Sequence, residues 1–237
     1  MPKIDPKIPV KRFELEPSAR FNVLPLFITK WNDQSAFESS KKVEDHPLQL
    51  RNYVNIVNSI CDFIPDGIVV YLPNISVFLS FLKEKVGEIL SNRPIFFENP
   101  FSLEKTLEVN RKKKKNINFN LTSICFLFIF FVVAKAFQFY KKNCDVGGGA
   151  LFFCVANGLA RRHIEFADHY ARAALILGYP MREDYYRPLN EVDNQSHRIY
   201  NLPHEDFLTY DAITQVASCI KSVYTKTHDH CTIILAD

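Results

Sequence analysis

The sequence predicts an α/β domain, a parallel sheet flanked by helices, and three observations carry that reading. Short runs that are apolar throughout, with no polar alternation, mark strands covered on both faces. Amphipathic stretches at helical spacing lie between those runs. A balance of 47% hydrophobic and 23% charged residues over 237 positions describes a chain able to bury a core.

Residues 1–20 carry four prolines among charges. Proline fixes φ and removes a donor, so this stretch reads as a loose lead-in to a domain over 21–237. The first strand is Gly67-Ile68-Val69-Val70-Tyr71-Leu72, β-branched and apolar, and Pro73 suits the first turn of a helix running through Leu90. Further strands are expected at Pro94-Ile95-Phe96-Phe97-Glu98, at Ala150 to Val155 and at Ala173 to Leu177. Near the end, Leu208, Ala212, Ile213, Val216, Ala217, Ile220 and Tyr224 recur at helical spacing, and Cys231-Thr232-Ile233-Ile234-Leu235 reads as a closing strand. Helices alternating with buried strands make layers around one sheet.

One segment breaks this pattern. The basic cluster Arg111-Lys112-Lys113-Lys114-Lys115 leads through Asn116 to Asn120 into Leu121 to Ala134, composed almost wholly of Leu, Ile, Phe, Val and Cys. A membrane anchor is one reading, because basic residues beside an apolar run resemble a stop-transfer flank. The run falls short of the roughly 20 residues that span a hydrocarbon core, and Lys135 closes it. A core helix or strand is a second reading. The preferred reading is a low-complexity insert at about 110–135 translated from noncoding DNA. Lys, Asn, Ile and Phe have A/T-rich codons, and the segment splits what looks like one helix, Leu103 to Glu108 on one side and Phe137 to Lys142 on the other.

A net charge of +3 does not by itself imply a polyanionic partner, since positive charge attracts nucleic acid through local concentration. The six cysteines are scattered without a CxxC pair and no N-terminal apolar signal segment is present, so a reduced intracellular setting with free thiols is expected.

Several short motifs stand in a recognisable order: Arg51-Asn52-Tyr53, Pro65-Asp66-Gly67-Ile68-Val69, Arg93-Pro94-Ile95-Phe96-Phe97-Glu98, Gly147-Gly148-Gly149-Ala150-Leu151-Phe152-Phe153, Gly178-Tyr179-Pro180 and Asp206-Phe207-Leu208-Thr209-Tyr210-Asp211-Ala212. In order and spacing they resemble the second motor domain of XPD-type superfamily 2 DNA helicases, from about Phe21 to Asp237 apart from the insert. The resemblance implies a RecA-like fold, ATP-dependent DNA unwinding within the transcription and nucleotide excision repair factor TFIIH, and a nuclear location. DNA and the TFIIH subunits are the implied partners, and ATP with magnesium the implied cofactors. It further implies that the first motor half and the iron–sulfur domain lie outside this sequence, which holds no iron–sulfur ligand set.

The catalytic positions depart from the family. Phosphoryl transfer needs a Gly-rich loop ending in Lys-Ser/Thr and an acidic strand end for magnesium, and neither pattern occurs in this sequence. The cluster Gly147-Gly148-Gly149 has no Lys-Ser/Thr after it and reads as a turn into the next strand. Where the family's nucleic-acid loop reads Arg-Gly-Lys-x-Ser-Glu-Gly-Ile-Asp-Phe, this chain has Asn157-Gly158-Leu159-Ala160-Arg161-Arg162-His163-Ile164-Glu165-Phe166. Gly158, Ile164 and Phe166 match. Arg161 and Arg162 read as replacement phosphate contacts, set against solvated surface arginines. Asn157 and Gly158 belong to the same candidate nucleic-acid loop, and Arg172, in Asp168-His169-Tyr170-Ala171-Arg172-Ala173, is a further candidate beside a structural role.

The family's last helix carries Gln-x-x-Gly-Arg-x-x-Arg, whose arginines face the γ-phosphate. Here the degenerate nucleotide positions are Ser218, Ser222 and Thr225, and a short hydroxyl cannot neutralise a phosphate. Lys221 lies one residue before the first arginine position, and about 100° of rotation per helical residue points it elsewhere. No catalytic residue is assigned. His228 and His230 could share a strand face as metal ligands, yet no second cluster completes a site, so they read as a polar turn and no metal is assigned.

Three functions are expected from these residues: a DNA-binding remnant of an XPD-like helicase that has lost catalysis, half of an active helicase completed by missing sequence or a partner chain, or a membrane-tethered protein without enzymatic activity. The first is preferred.

Overall fold

Three of the apolar runs, Ile68–Leu72, Leu151–Val155 and Ala173–Leu177, are buried at all five positions, as strands with helices on both faces must be. The structure is a computed structural model and describes residues 22–30, 47–84, 87, 89, 93–98, 133–180, 204–226 and 228–237. The proline-rich 1–20 stretch, most of the insert (110–132) and the Leu103 to Glu108 half of the split helix lie outside the described residues.

In chain order the elements are β1 (Val23–Ile28), α1 (Pro47–Phe63), β2 (Ile68–Leu72), α2 (Ile75–Glu84), β3 (Ile95–Phe97), α3 (133–145), β4 (Leu151–Val155), α4 (Leu159–His163), a 3-10 turn (Asp168–Ala171), β5 (Ala173–Leu177), α5 (His204–Val223) and β6 (Cys231–Ala236). The six strands form one sheet in the order β1-β6-β5-β2-β4-β3, with every adjacent pair parallel. This is the predicted α/β architecture.

Alternation along each strand splits the core into two layers. Ile68, Val70, Leu72, Phe153, Leu175 and Leu177 point to one face and pack with Leu50, Tyr53, Val57 of α1 and Phe78, Phe81 of α2. Val69, Tyr71, Phe152, Cys154, Ala174 and Ile176 point to the other, where they meet Tyr140 of α3, Ala160 of α4 and Cys219, Val223 of α5. Aromatic rings dominate the second layer: Phe152 lies 5.4 Å from Tyr140 and 5.3 Å from Phe166 in edge-on geometry, which adds to burial.

The elements not expected from the sequence are β1, α1, α4 and the 3-10 turn, the last two in stretches read as a loop and a link. Helix α2 also starts later than expected: Asn74 caps it, its Oδ1 accepting the Val77 N–H at 2.8 Å, so Pro73 precedes the helix instead of opening it. Helix α3 begins within the expected insert, and its Val133 is only 3% exposed, so the end of that segment packs into the core. The glycine cluster makes the turn into β4. Gly149 has φ of 62°, and a Cβ there would strike the Pro65 carbonyl, so both conformation and space require glycine. The described cysteines, Cys61, Cys144, Cys154, Cys219 and Cys231, are all buried and free. No described helix is long and apolar enough to cross a membrane.

Candidate functional site

Strand β4 ends at Val155 and the chain turns through Asn157 and Gly158 into the single helical turn α4, which carries Arg161 and Arg162. The turn is held from beneath by Glu98, at the end of β3 and 0% exposed. One carboxylate oxygen, Oε2, accepts the Val155 N–H at 3.0 Å; the other, Oε1, accepts the N–H groups of Leu159 at 2.5 Å and Ala160 at 3.0 Å. Gly158 has an ordinary φ of −80°, so its requirement is space: a Cβ would run into the Glu98 carboxylate. Burial pushes Glu98 above the usual carboxylate range, against the pull of the three N–H groups and of Arg162.

Asn157 gathers the arginines. Its Oδ1 accepts from Arg162 Nη2 at 2.7 Å and from Arg161 Nη2 at 3.4 Å. Arg161 Nε is buried and has no hydrogen-bond partner. Past α4, Ile164 and Phe166 are buried, and the Phe166 N–H donates to the Ser222 carbonyl at 2.7 Å, which ties the loop to the last turn of α5.

Between α4 and α5 lies an open cavity of about 620 Å³, lined by Arg161, Arg162, His163, Ile164, Glu165, Ser218, Lys221 and Ser222. Two loop candidates, two degenerate nucleotide positions and Lys221 thus come together. The expectation that Lys221 points elsewhere is corrected here. Its Cα is rotated away from that of Ser222, but a long side chain on an exposed helix edge reaches the same cavity.

The hydroxyls at the nucleotide positions are committed elsewhere. Ser222 Oγ donates to the Cys219 carbonyl at 2.7 Å and meets the buried Tyr71 hydroxyl at 2.6 Å. Ser218 Oγ donates to the Thr214 carbonyl at 2.8 Å. Thr225 is exposed beyond the end of α5. These residues do not fit a nucleotide γ-phosphate, and among the described residues no group of three His, Cys, Asp or Glu stands ready for a metal ion. Among the described residues no cysteine lines the cavity, and burial pushes the Cys219 thiol behind it up to about 12.

Arg172 sits apart. It precedes β5, whereas α4 follows β4, so in a parallel sheet the two lie at opposite strand ends. Its Nη1 pairs with Asp229 at 2.7 Å and donates to the His230 carbonyl at 3.1 Å, and its Nε lies 3.8 Å from Asp66. Asp229 also accepts the Asp168 N–H at 2.8 Å, which supports Asp168 in its left-handed conformation at φ 59°. His228 and His230 are exposed on either side of Asp229.

Glu98 has no expected role from the sequence, although it closes the Arg93 to Glu98 motif. The signal for it was an acidic residue ending an apolar strand run, where a buried carboxylate needs donors.

No family model matches this sequence. It is similar to the XPD helicase subunit of general transcription and DNA repair factor IIH from Schizosaccharomyces pombe, at 28% identity over 224 residues, covering 92% of this chain and 25% of that protein. The XPD/RAD3 subunit of Saccharomyces cerevisiae is 27% identical over the same shares. The Arabidopsis thaliana XPD subunit is 25% identical over 220 residues, covering 91% of this chain and 25% of that protein. The chain therefore spans about a quarter of the length of these curated relatives. Among solved structures, S. tokodaii Xpd4 superposes with a TM-score of 0.53 at 10% identity, over 94% of this chain and 35% of that one, which shows the fold.

Proposed function

From an XPD-like helicase domain with a RecA-like fold, we propose that this chain binds DNA through the cavity between α4 and α5 and does not hydrolyse ATP by itself. One observation carries the reading: Arg161, Arg162 and Lys221, contributed by two elements, line a single open cavity. Guanidinium groups match phosphate geometry, and three cations converging on one groove hold a DNA backbone without reading its sequence.

The family relation supports a nuclear setting and TFIIH-type subunits as partners. The same relation implies ATP and magnesium, but the described side chains do not supply what hydrolysis needs. The positions of the γ-phosphate arginines hold Ser222, which is bonded inward to Tyr71, and Thr225. An arginine there is typically worth about 10³–10⁵ in rate.

Fluorescence anisotropy with a labelled single-stranded oligonucleotide, run across a salt series beside an ATPase assay, tests this. Binding that weakens steeply with salt, together with phosphate release at the level of buffer, is expected. No binding at low salt would overturn the DNA reading, and ATP turnover by the chain alone would overturn the second half.

A further inference from the structure

Two of the three cations sit on α4, a helix of five residues, which is too short to hold its own shape in water. Something outside it must fix its direction. Its Leu159 and Ala160 N–H groups are orphan donors by position, and both end on the Glu98 carboxylate, 61 and 62 residues away in sequence. The same carboxylate takes the N–H of Val155, the last residue of β4. One fully buried side chain therefore joins the end of a core strand to the first turn of the arginine-bearing helix. Gly158 leaves it room on the other side.

Resting on the DNA-binding reading, we infer that Glu98 is a positioning residue for that site: through its hydrogen bonds to Val155, Leu159 and Ala160 it sets the direction in which α4 presents Arg161 and Arg162 to phosphate. Glu98 touches no ligand itself. Its contribution passes through the backbone of α4, and Asn157 then fixes the guanidinium ends. A buried acidic residue thereby serves a site whose ligand is an anion, where direct contact would repel.

The link can be broken from either side. Glu98→Ala removes the acceptor, and Gly158→Ala displaces it, although alanine tolerates the Gly158 backbone angles. Glu98→Gln keeps the oxygen that both α4 amides share, Oε1, but sets an amide NH2 against the Val155 N–H that Oε2 accepts, so it keeps two of the three bonds. Each variant is measured for oligonucleotide affinity and for amide hydrogen exchange.

Glu98→Ala and Gly158→Ala are expected to weaken binding about tenfold and to speed exchange at Leu159 and Ala160 by a similar factor, with β2 and β5 amides unchanged. Glu98→Gln, which still accepts from both α4 amides, should fall between Glu98→Ala and the unaltered chain in both readouts. Substituting Arg161 and Arg162 by alanine should cost less in the Glu98→Ala background than in the unaltered chain, because the two changes act on the same interactions.

Full additivity, or wild-type affinity in a folded Glu98→Ala or Gly158→Ala variant, would overturn the inference. If Glu98→Ala does not fold, Gly158→Ala decides, since it leaves no cavity. If the unaltered chain binds no oligonucleotide, the DNA reading fails on its own. The positioning role for phosphate then falls with it, and exchange at Leu159 and Ala160 separates this failure from that of the anchor: faster in the variants leaves Glu98 as the anchor of α4 alone, unchanged refutes the anchor too.

Discussion

Ser222 holds the last turn of α5 to the sheet. Its hydroxyl is the partner of Tyr71, whose ring is wholly buried on β2 and whose phenol burial pushes well above its ordinary value. Ser222→Arg, the residue that the resemblance implies at this position, should orphan that phenol and crowd the core, costing roughly 1–3 kcal/mol, while ATP turnover stays absent. Thermal denaturation and phosphate release check the two halves. Arg172 makes the complementary case. Its guanidinium is committed to an Asp229 side chain that is 1% exposed, so Arg172→Ala leaves a buried carboxylate short of its countercharge. We expect a loss of about 3 kcal/mol, moderated by the Asp168 and His230 N–H groups that still hold Asp229, and unchanged oligonucleotide affinity in the folded fraction. Chemical denaturation paired with anisotropy measures both. A fall in affinity without a fall in stability would instead make Arg172 a DNA contact.

On the proposed DNA reading, helix α4 and strand β4 divide binding from stability. Replacing Arg161 and Arg162 by alanine should lower the slope of log affinity against log salt by about one for each phosphate that is no longer neutralised, and change stability by no more than about 0.5 kcal/mol. Phe152 on β4 is the contrast: packed against Tyr140 and Phe166, it should cost about 3–5 kcal/mol as Phe152→Ala, read by denaturant midpoint. The buried strands of this sheet were legible because five apolar residues in a row suit only a strand covered twice. Helix α1 was legible too, since Leu50, Tyr53, Val54, Val57 and Cys61 recur at helical spacing and all are buried, yet from the sequence the stretch stood out only as a motif. Strand β1 was not. It holds Pro25, and Leu24, Leu26 and Phe27 are exposed, so neither composition nor alternation marks it. What makes it a strand is β6, at the far end of the chain, which pairs Val23 with Cys231 through Ile28 with Ala236.

At the scale of the molecule, the chain presents one parallel sheet with two packed faces and a cationic cavity on one of them. The proposal that 110–135 is translated noncoding sequence predicts a mature transcript without those codons. Sequencing the full-length transcript reads this directly, and a message retaining all of the codons would overturn it. The sequence by itself determined the α/β class, the places of five of the described strands and the last helix. Those follow from residue type and local period. Only the tertiary structure decided that Lys221 joins Arg161 and Arg162, that Arg172 is spent on Asp229, and that Glu98 holds α4. Each of these is a meeting of segments apart in sequence, set by the order and parallel register of the strands, which no local pattern encodes.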